Sequence, residues 1–300
     1  MFSIQQPIGV FDSGIGGLSV LQALRAELPH ERFVYLADSA NAPYGERSTE
    51  FVAARSHAIA AHLVAQHGIK ALVVACNTAT AAAIDEIRAR YPALPLIGVE
   101  PALKPAAALS RTGRIGVIGT RGTLGSAKFG RLLASLQGQA QFIVQPCDGL
   151  AHAIERSTVW ALPGTANATE TRALCASYTR AMGRFGTQTG DIDTLVLGCT
   201  HYVFAQDELR DLLGPEVRLI ATGEPVARQT RRLLHAANAL ALAQDAQPTP
   251  WPLLLTTGPL AQLQTAAARW LQLPQECCST ALVAVERLNS SHPQALSSSF

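Results

Sequence analysis

Two stretches decide the fold: Ala71-Leu72-Val73-Val74-Ala75-Cys76-Asn77-Thr78 and Thr194-Leu195-Val196-Leu197-Gly198-Cys199-Thr200-His201. Each is an apolar run of strand length that stops at a cysteine, passes an amide or hydroxyl residue, and opens into helical spacing. A second pair sits upstream of them. Ile8-Gly9-Val10-Phe11-Asp12-Ser13 matches Ile115-Gly116-Val117-Ile118-Gly119-Thr120 in pattern. Two α/β halves sharing a cleft explain both echoes. The general likeness of strand–polar–helix junctions in any α/β protein explains them too, and pattern alone leaves both open.

Working outward, the same grammar repeats. Short Val- and Ile-rich runs predict strands at Ile8–Phe11, Phe33–Ala37, Ala71–Ala75, Leu96–Val99 and Ile115–Ile118. Further strands are expected at Phe142–Gln145, Thr194–Leu197, Arg218–Ile220, Leu253–Thr256 and Leu282–Val285. Helical spacing marks Leu18–Leu28, Thr49–His67, Thr78–Arg90, Leu124–Leu136, Thr169–Phe185, Val226–Ala243 and Leu260–Leu271. Strands alternating with helices imply an α/β architecture with mostly parallel sheet. Gly and Pro punctuation places boundaries near Leu94–Pro105 and Gly214-Pro215, a linker at Gln244–Pro252 and a frayed tail at Ser290–Phe300.

Composition narrows the classes. The chain has 300 residues, enough for one large domain or two modest ones with a real core. Hydrophobic residues make up 48% and charged residues 15%, against about 25% charged in typical domains, so charge-driven disorder is excluded. A net charge of +2 with no basic cluster gives nucleic-acid binding no support. Met1–Val10 has no signal-peptide pattern, and no apolar run reaches the roughly 18 residues a membrane span needs. The expectation is a soluble cytoplasmic protein whose six cysteines are thiols.

In open α/β sheets ligands bind beyond the carboxyl ends of the strands. Asp12-Ser13-Gly14-Ile15-Gly16-Gly17 could bring backbone N–H groups to an anion at a helix start, though its spacing fits neither a dinucleotide fingerprint nor a P-loop. Asp38 to Gly45, ending Pro43-Tyr44-Gly45, is either a plain turn or a cleft wall offering its backbone and the Tyr44 hydroxyl. Cys76 and Cys199 are the pair with chemical meaning. A lone thiol is often a small buried hydrophobe. Two thiols in matching strand-end positions, each expected at a helix N-terminus that lowers its pKa, could work one carbon from opposite faces. His201, two residues after Cys199, is a capping histidine or a proton partner. Glu155, read alone, is a surface carboxylate. No Cys/His set has zinc spacing, and no lysine lies in these segments to anchor pyridoxal phosphate. His57, His62 and His67 read as a solvated helix face, and Cys277-Cys278 as structural.

Taken together, Phe11-Asp12-Ser13-Gly14-Ile15-Gly16-Gly17-Leu18, Pro43-Tyr44-Gly45, Ala75-Cys76-Asn77-Thr78-Ala79 and Leu197-Gly198-Cys199-Thr200-His201-Tyr202 resemble the glutamate racemases, in order, from about Ile8 to Ala243. The resemblance implies two doubly wound, mostly parallel-sheet α/β domains related by pseudo-twofold symmetry, with the active site between them. The first would be discontinuous, Met1–Gly98 plus Leu213–Phe300, and the second would be Val99–Leu212. It implies cofactor- and metal-independent interconversion of L- and D-glutamate, supplying D-glutamate for peptidoglycan.

By the same resemblance Cys76 serves D-glutamate and Cys199 serves L-glutamate, with Asp12 and His201 assisting the thiols. Asp12, Ser13, Pro43, Tyr44, Gly45, Cys76, Asn77, Thr78, Cys199, Thr200 and His201 match substrate-binding positions, and Glu155 and Thr120 match less distinctive ones. Glutamate is the expected partner, with neither membrane nor nucleic acid, and a homodimer is an open expectation. Departures include Thr222-Gly223-Glu224-Pro225, where an Asp-Ser-Gly-like turn is usual, and the scant sequence before Ile8, which puts activation by a cell-wall precursor in doubt. The alternatives are an aspartate or hydantoin racemase on the same scaffold, or a binding protein of the gyrase-inhibiting kind described for some members.

Overall fold

The computed structural model describes residues 3–160, 166–242, 251–273 and 279–286, with side chains left out at 158–160 and 166–168. Among the described residues the strands are β1 (Ile8–Asp12), β2 (Phe33–Ala37), β3 (Ala71–Val74), β4 (Leu96–Gly98), β5 (Arg114–Gly119), β6 (Gln141–Pro146), β7 (Thr194–Gly198), β8 (Arg218–Ile220), β9 (Leu253–Thr256) and β10 (Thr280–Leu282). The helices are α1 (Leu18–Glu27), α2 (Thr49–His67), α3 (Asn77–Arg90), α4 (Leu103–Leu109), α5 (Arg121–Leu124), α6 (Ala127–Ala134), α7 (Leu150–Trp160), α8 (Ala166–Met182), α9 (Gln206–Leu213), α10 (Gly223–Ala236) and α11 (Leu260–Trp270). None of these helices is long and apolar enough to cross a membrane.

Every strand pairing is parallel. One sheet runs β10-β9-β2-β1-β3-β4 and the other β6-β5-β7-β8. The segments β2-β1-β3-β4 and β6-β5-β7-β8 have the same order, with β1 matched to β5 and β3 to β7. The two sequence echoes therefore occupy equivalent places in two copies of one topology. In each copy the chain leaves the first strand, crosses to one side, and returns on the other. That reversal opens a crevice at the strands' carboxyl ends. Asp12 and Cys76 stand at one such crevice, and Thr120 and Cys199 at the other.

Near-continuous apolar strands suit sheets covered on both faces. Val10, Tyr35 and Val73 pack with Leu18, Leu21 and Leu24 of α1 and Val226 and Leu234 of α10 on one face of the larger sheet. Phe11, Leu36 and Val74 pack with Ile59 and Leu63 of α2 and Ile84 of α3 on the other. The smaller sheet is flanked in the same way, by Ile154, Tyr202 and Leu209 on one face and Leu103 and Phe129 on the other.

The differences from the sequence reading have local causes. β8 was grouped with the first unit, yet it pairs with β7 in the smaller sheet, so the chain returns to the first sheet after Ile220 and not at Leu213. The helix expected over Leu124–Leu136 is broken at Gly125-Ser126, where the Ser126 hydroxyl accepts from Phe129 N–H and caps a fresh start for α6. The helix expected to reach Ala243 ends at Ala236, with Asn238 in a left-handed conformation just beyond. β10 covers Thr280–Leu282 and not Leu282–Val285. Cys277-Cys278, the Ser290–Phe300 tail and most of the Gln244–Pro252 linker lie outside the described residues.

Candidate active site

Cys76 follows β3 and is the N-cap of α3, with its Sγ accepting from Ala79 N–H at 3.5 Å. The β1–β3 register sets Phe11 beside Val74, so two residues on Ser13 stands beside Cys76. The thiol donates to the Ser13 hydroxyl at 3.9 Å. Asp12 is fully buried; its Oδ2 accepts from Gly17 N–H at 2.7 Å and its Oδ1 has no hydrogen-bond partner. Burial raises the Asp12 carboxyl above its ordinary range, against the pull of His201 and the Gly17 N–H.

The helix start was expected to favour the Cys76 thiolate. The structure reverses that expectation. Burial and then the neighbouring Asp12 push the thiol well above its usual pKa, and the Ala79 N–H does not compensate. Removing a charge from water outweighs what a helix terminus returns.

On the other side Cys199 follows β7 and precedes a 3-10 turn over Thr200–Ala205, not the expected α-helix. Its Sγ lies 3.8 Å from His201 Nδ1, and His201 Nε2 lies 2.5 Å from Glu155 Oε2. Burial alone would lower the His201 pKa; the Glu155 carboxylate and Cys199 outweigh it and hold the imidazole well above its ordinary value. Glu155, on α7, is 8% exposed and so is not the surface carboxylate that its isolated sequence position suggested. Its oxygens also accept from Ile15 N–H, at 3.3 and 3.4 Å, and Oε1 accepts from Gln262 Nε2 at 3.3 Å.

The Asp12–Gly17 turn therefore spends N–H groups on the protein's own carboxylates, Gly17 on Asp12 and Ile15 on Glu155. Only glycine fits at position 16, because a Cβ there would stand 2.4 Å from His201 Nδ1. That close approach brings the turn of one unit against the Cys199 side of the other.

The remaining expected residues gather at the same place, with one correction. The Tyr44 hydroxyl does not line the cleft: it donates to Asp38 Oδ2 at 2.5 Å and is buried. Asp38 also accepts from Arg55 at 2.7 and 3.0 Å and from the Thr257 hydroxyl at 2.8 Å. This hub holds the Pro43-Tyr44-Gly45 turn, whose first peptide bond, Ala42–Pro43, is cis. Gly45 abuts Thr120 so closely that a Cβ would come within 2.7 Å of the threonine Cβ and Cγ2. Thr78 Oγ1 lies 3.0 Å from Thr120 Oγ1 and 3.2 Å from Thr123 Oγ1, a set of hydroxyl contacts across the cleft. Asn77 donates to Val99 O at 3.5 Å and leaves its buried Oδ1 without a partner. Thr200 is buried on the Cys199 side near Gly16, its backbone oxygen accepting from Ser19 Oγ at 3.2 Å.

Sequence reasoning missed the Asp38 hub, Tyr35, whose hydroxyl donates to Gly14 O at 2.6 Å, and Gln262. The signal for Asp38 was its place as an acid directly after the strand Phe33–Ala37. Nothing local marks Gln262. Cys147 and Cys175 are buried thiols that burial pushes up, Cys175 to about 12, so neither is poised to react. Among the described residues no group of three or more His, Cys, Asp or Glu side chains is placed to hold a metal. The arrangement offers two buried thiols, each with its own proton partner, among buried hydroxyls and amides.

Comparison with known proteins points the same way. A family model described as Asp/Glu/Hydantoin racemase matches residues 17–230. A glutamate racemase of Ectopseudomonas mendocina is 50% identical over 245 residues, covering 82% of this chain and 88% of that protein. The crystal structure of Escherichia coli glutamate racemase in complex with L-glutamate and the activator UDP-MurNAc-Ala superposes with a TM-score of 0.75 at 28% identity, over 92% of this chain and 97% of that one. The Francisella tularensis glutamate racemase in complex with D-glutamate gives a TM-score of 0.76 at 25% identity, over 94% and 99%.

Proposed function

The chain belongs to the Asp/Glu/Hydantoin racemase family and is an isomerase, and on that premise we propose that it interconverts L- and D-glutamate by proton transfer between Cys76 and Cys199. The observation that carries this reading is the pairing of each strand-end thiol with a different proton partner, Asp12 beside Cys76 and the His201–Glu155 pair beside Cys199. The relatives bound to L- and to D-glutamate support the substrate.

From D-glutamate the Cys76 thiolate takes the α-proton, and the Cys199 thiol delivers one to the opposite face. The reverse reaction begins at Cys199. Proton transfer by a positioned side chain contributes about 10²–10⁴-fold, and fixing the carbon between two such groups adds a positional advantage. The hydroxyls of Ser13, Thr78, Thr120 and Thr200 and the amide of Asn77 are the groups that would hold the substrate carboxylates and the charge developing on one of them. Both thiols are nearly buried, at 5% and 7% exposure, so substrate reaches them when the two units part and reacts when they close.

We assign the first unit to the larger sheet with its helices and the second to the smaller sheet. D-glutamate supply for peptidoglycan in the cytoplasm is the role this activity would serve. The test is circular dichroism of D-glutamate incubated with metal-free, cofactor-free, reduced enzyme. Decay of the signal to zero supports the reading. No decay, with decay of aspartate or a hydantoin under the same conditions, overturns it in favour of another member of the family.

A further inference from the structure

Glu155 touches both units at once. From its own unit it faces His201, and from the other it accepts the Ile15 N–H and the side-chain amide of Gln262. Gln262 sits in the first turn of α11, between β9 and β10 of the larger sheet, yet α11 lies along α7 of the smaller unit. Arg269 Nη1 donates to Ser157 O at 3.5 Å, and Trp270 stacks on Phe204 at 4.2 Å. The start of α11 is braced as well, because Thr257 just ahead of it donates to the Asp38 hub that also fixes Tyr44. A chain of contacts thus runs from Asp38 through Thr257 and α11 to Gln262, then to Glu155, His201 and Cys199.

We propose that Gln262 is a positioning residue for this reaction: its amide holds one oxygen of Glu155 so that the other stays paired with His201. The proposal rests on the racemase reading above. A glutamate carboxylate turns freely about its last torsion, whose preference is broad. The His201 bond fixes one oxygen, and two donors from the other unit fix the plane. Gln262 is half-buried and neutral, so its contribution is orientation and not charge. The charged and titratable groups facing His201 are Glu155, Cys199 and Asp12, and those facing Glu155 are His201, Asp12 and Tyr35. Among the described residues no hydrogen bond links α11 to Cys76, whose Sγ meets Ser13 and Ala79, so the effect belongs to the Cys199 side.

The racemic equilibrium constant is one, so any variant lowers kcat/KM equally in both directions. Asymmetry must be sought in isotope effects. Gln262→Leu removes the donor and keeps the bulk; Gln262→Lys keeps a donor of similar reach. Each is measured for glutamate racemisation from both enantiomers, with hydrogen or deuterium at C2, and for the His201 imidazole titration by NMR. We expect Gln262→Leu to lower kcat/KM about tenfold, the low end for a hydrogen bond to a charged group. The His201 midpoint should fall, the isotope effect should rise more for L- than for D-glutamate, and Gln262→Lys should restore kcat/KM to within about twofold. An unchanged His201 midpoint overturns the proposal, whether activity is kept or falls uniformly. If the wild type does not racemise glutamate, the racemase reading fails by itself, and the His201 titration still decides whether Gln262 positions Glu155.

Discussion

Cys76 and Cys199 occupy the same place in two copies of one strand order, yet their surroundings have opposite electrical character. Cys76 faces a buried carboxyl, Asp12, whose own pKa is raised. Cys199 faces an imidazole that Glu155 keeps protonated to unusually high pH. An acidic neighbour opposes a thiolate, and a cationic neighbour favours one. The architecture is doubled but the proton inventory is not. The two-base reaction proposed above needs one group to take a proton and another to give one, and the two sides differ in the partners they offer for those roles.

The strongest way to break this comparison is to remove either thiol. Cys76→Ala and Cys199→Ala should each reduce racemisation by at least about 10³-fold, within the range that a positioned proton-transfer group contributes. In deuterium oxide, Cys199→Ala should stop washout of the α-proton from L-glutamate while leaving washout from D-glutamate. Cys76→Ala should show the reverse. If both variants exchanged both enantiomers, the thiols would not be divided between the faces.

The partners come next. Asp12→Asn and His201→Asn should each lower kcat/KM by about 10²-fold, equally in both directions because the enantiomers are equal in energy. The division between them should appear in the deuterium isotope effect at C2. His201→Asn should enlarge it with L-glutamate as substrate, and Asp12→Asn with D-glutamate. Equal enlargement in both variants would mean that the two partners act on a shared step.

Much of this comparison was legible in the chain. Phe33–Ala37 and Leu253–Thr256 stand where their apolar runs placed them, because a strand buried on both faces leaves a near-continuous apolar record. The paired cysteines were visible since each ends such a run. What could not be read depends on groups distant in sequence. Gln262 and Glu155 are separated by 107 positions, and α11 carries no mark of the helix it lies beside. The thiol pKa was misjudged for a related reason. A helix start is local and readable, while the burial that overrides it at Cys76 is a property of the closed fold. β8 was assigned to the wrong unit because the short run Arg218-Leu219-Ile220 says strand without saying which sheet.

A smaller effect separates the two sides by stability instead of turnover. Ordinary histidine titrates near pH 6.5 when unfolded, and His201 is raised well above that in the fold. A raised folded pKa gives stability that is complete below the unfolded value and is lost as pH rises through the folded one. Glu155→Gln removes the main cause of the shift. Its deficit should reach about 1.5–3 kcal/mol near pH 6, the worth of a hydrogen bond to a charged group, and narrow steadily as pH rises. Urea unfolding across that range checks it; a deficit independent of pH would mean that the pair is not charged in the fold.

The smallest expected effect lies on the Cys76 side, where the units meet through neutral hydroxyls. Thr123→Val removes one hydroxyl from contacts with Thr78 and Thr120 and keeps the branched shape. It leaves Thr78 and Thr120 able to bond each other at 3.0 Å, so no partner is stranded in the interior. The cost should be about 1 kcal/mol, that of an ordinary neutral hydrogen bond. No group in that set titrates between pH 6 and 9, so the cost should be the same at both ends of the range. A Thr123→Val deficit that tracked pH as Glu155→Gln does would show that the two sides of the cleft open together as one unit. A flat deficit beside a sloping one would show that they hold independently, one by shape and one by charge.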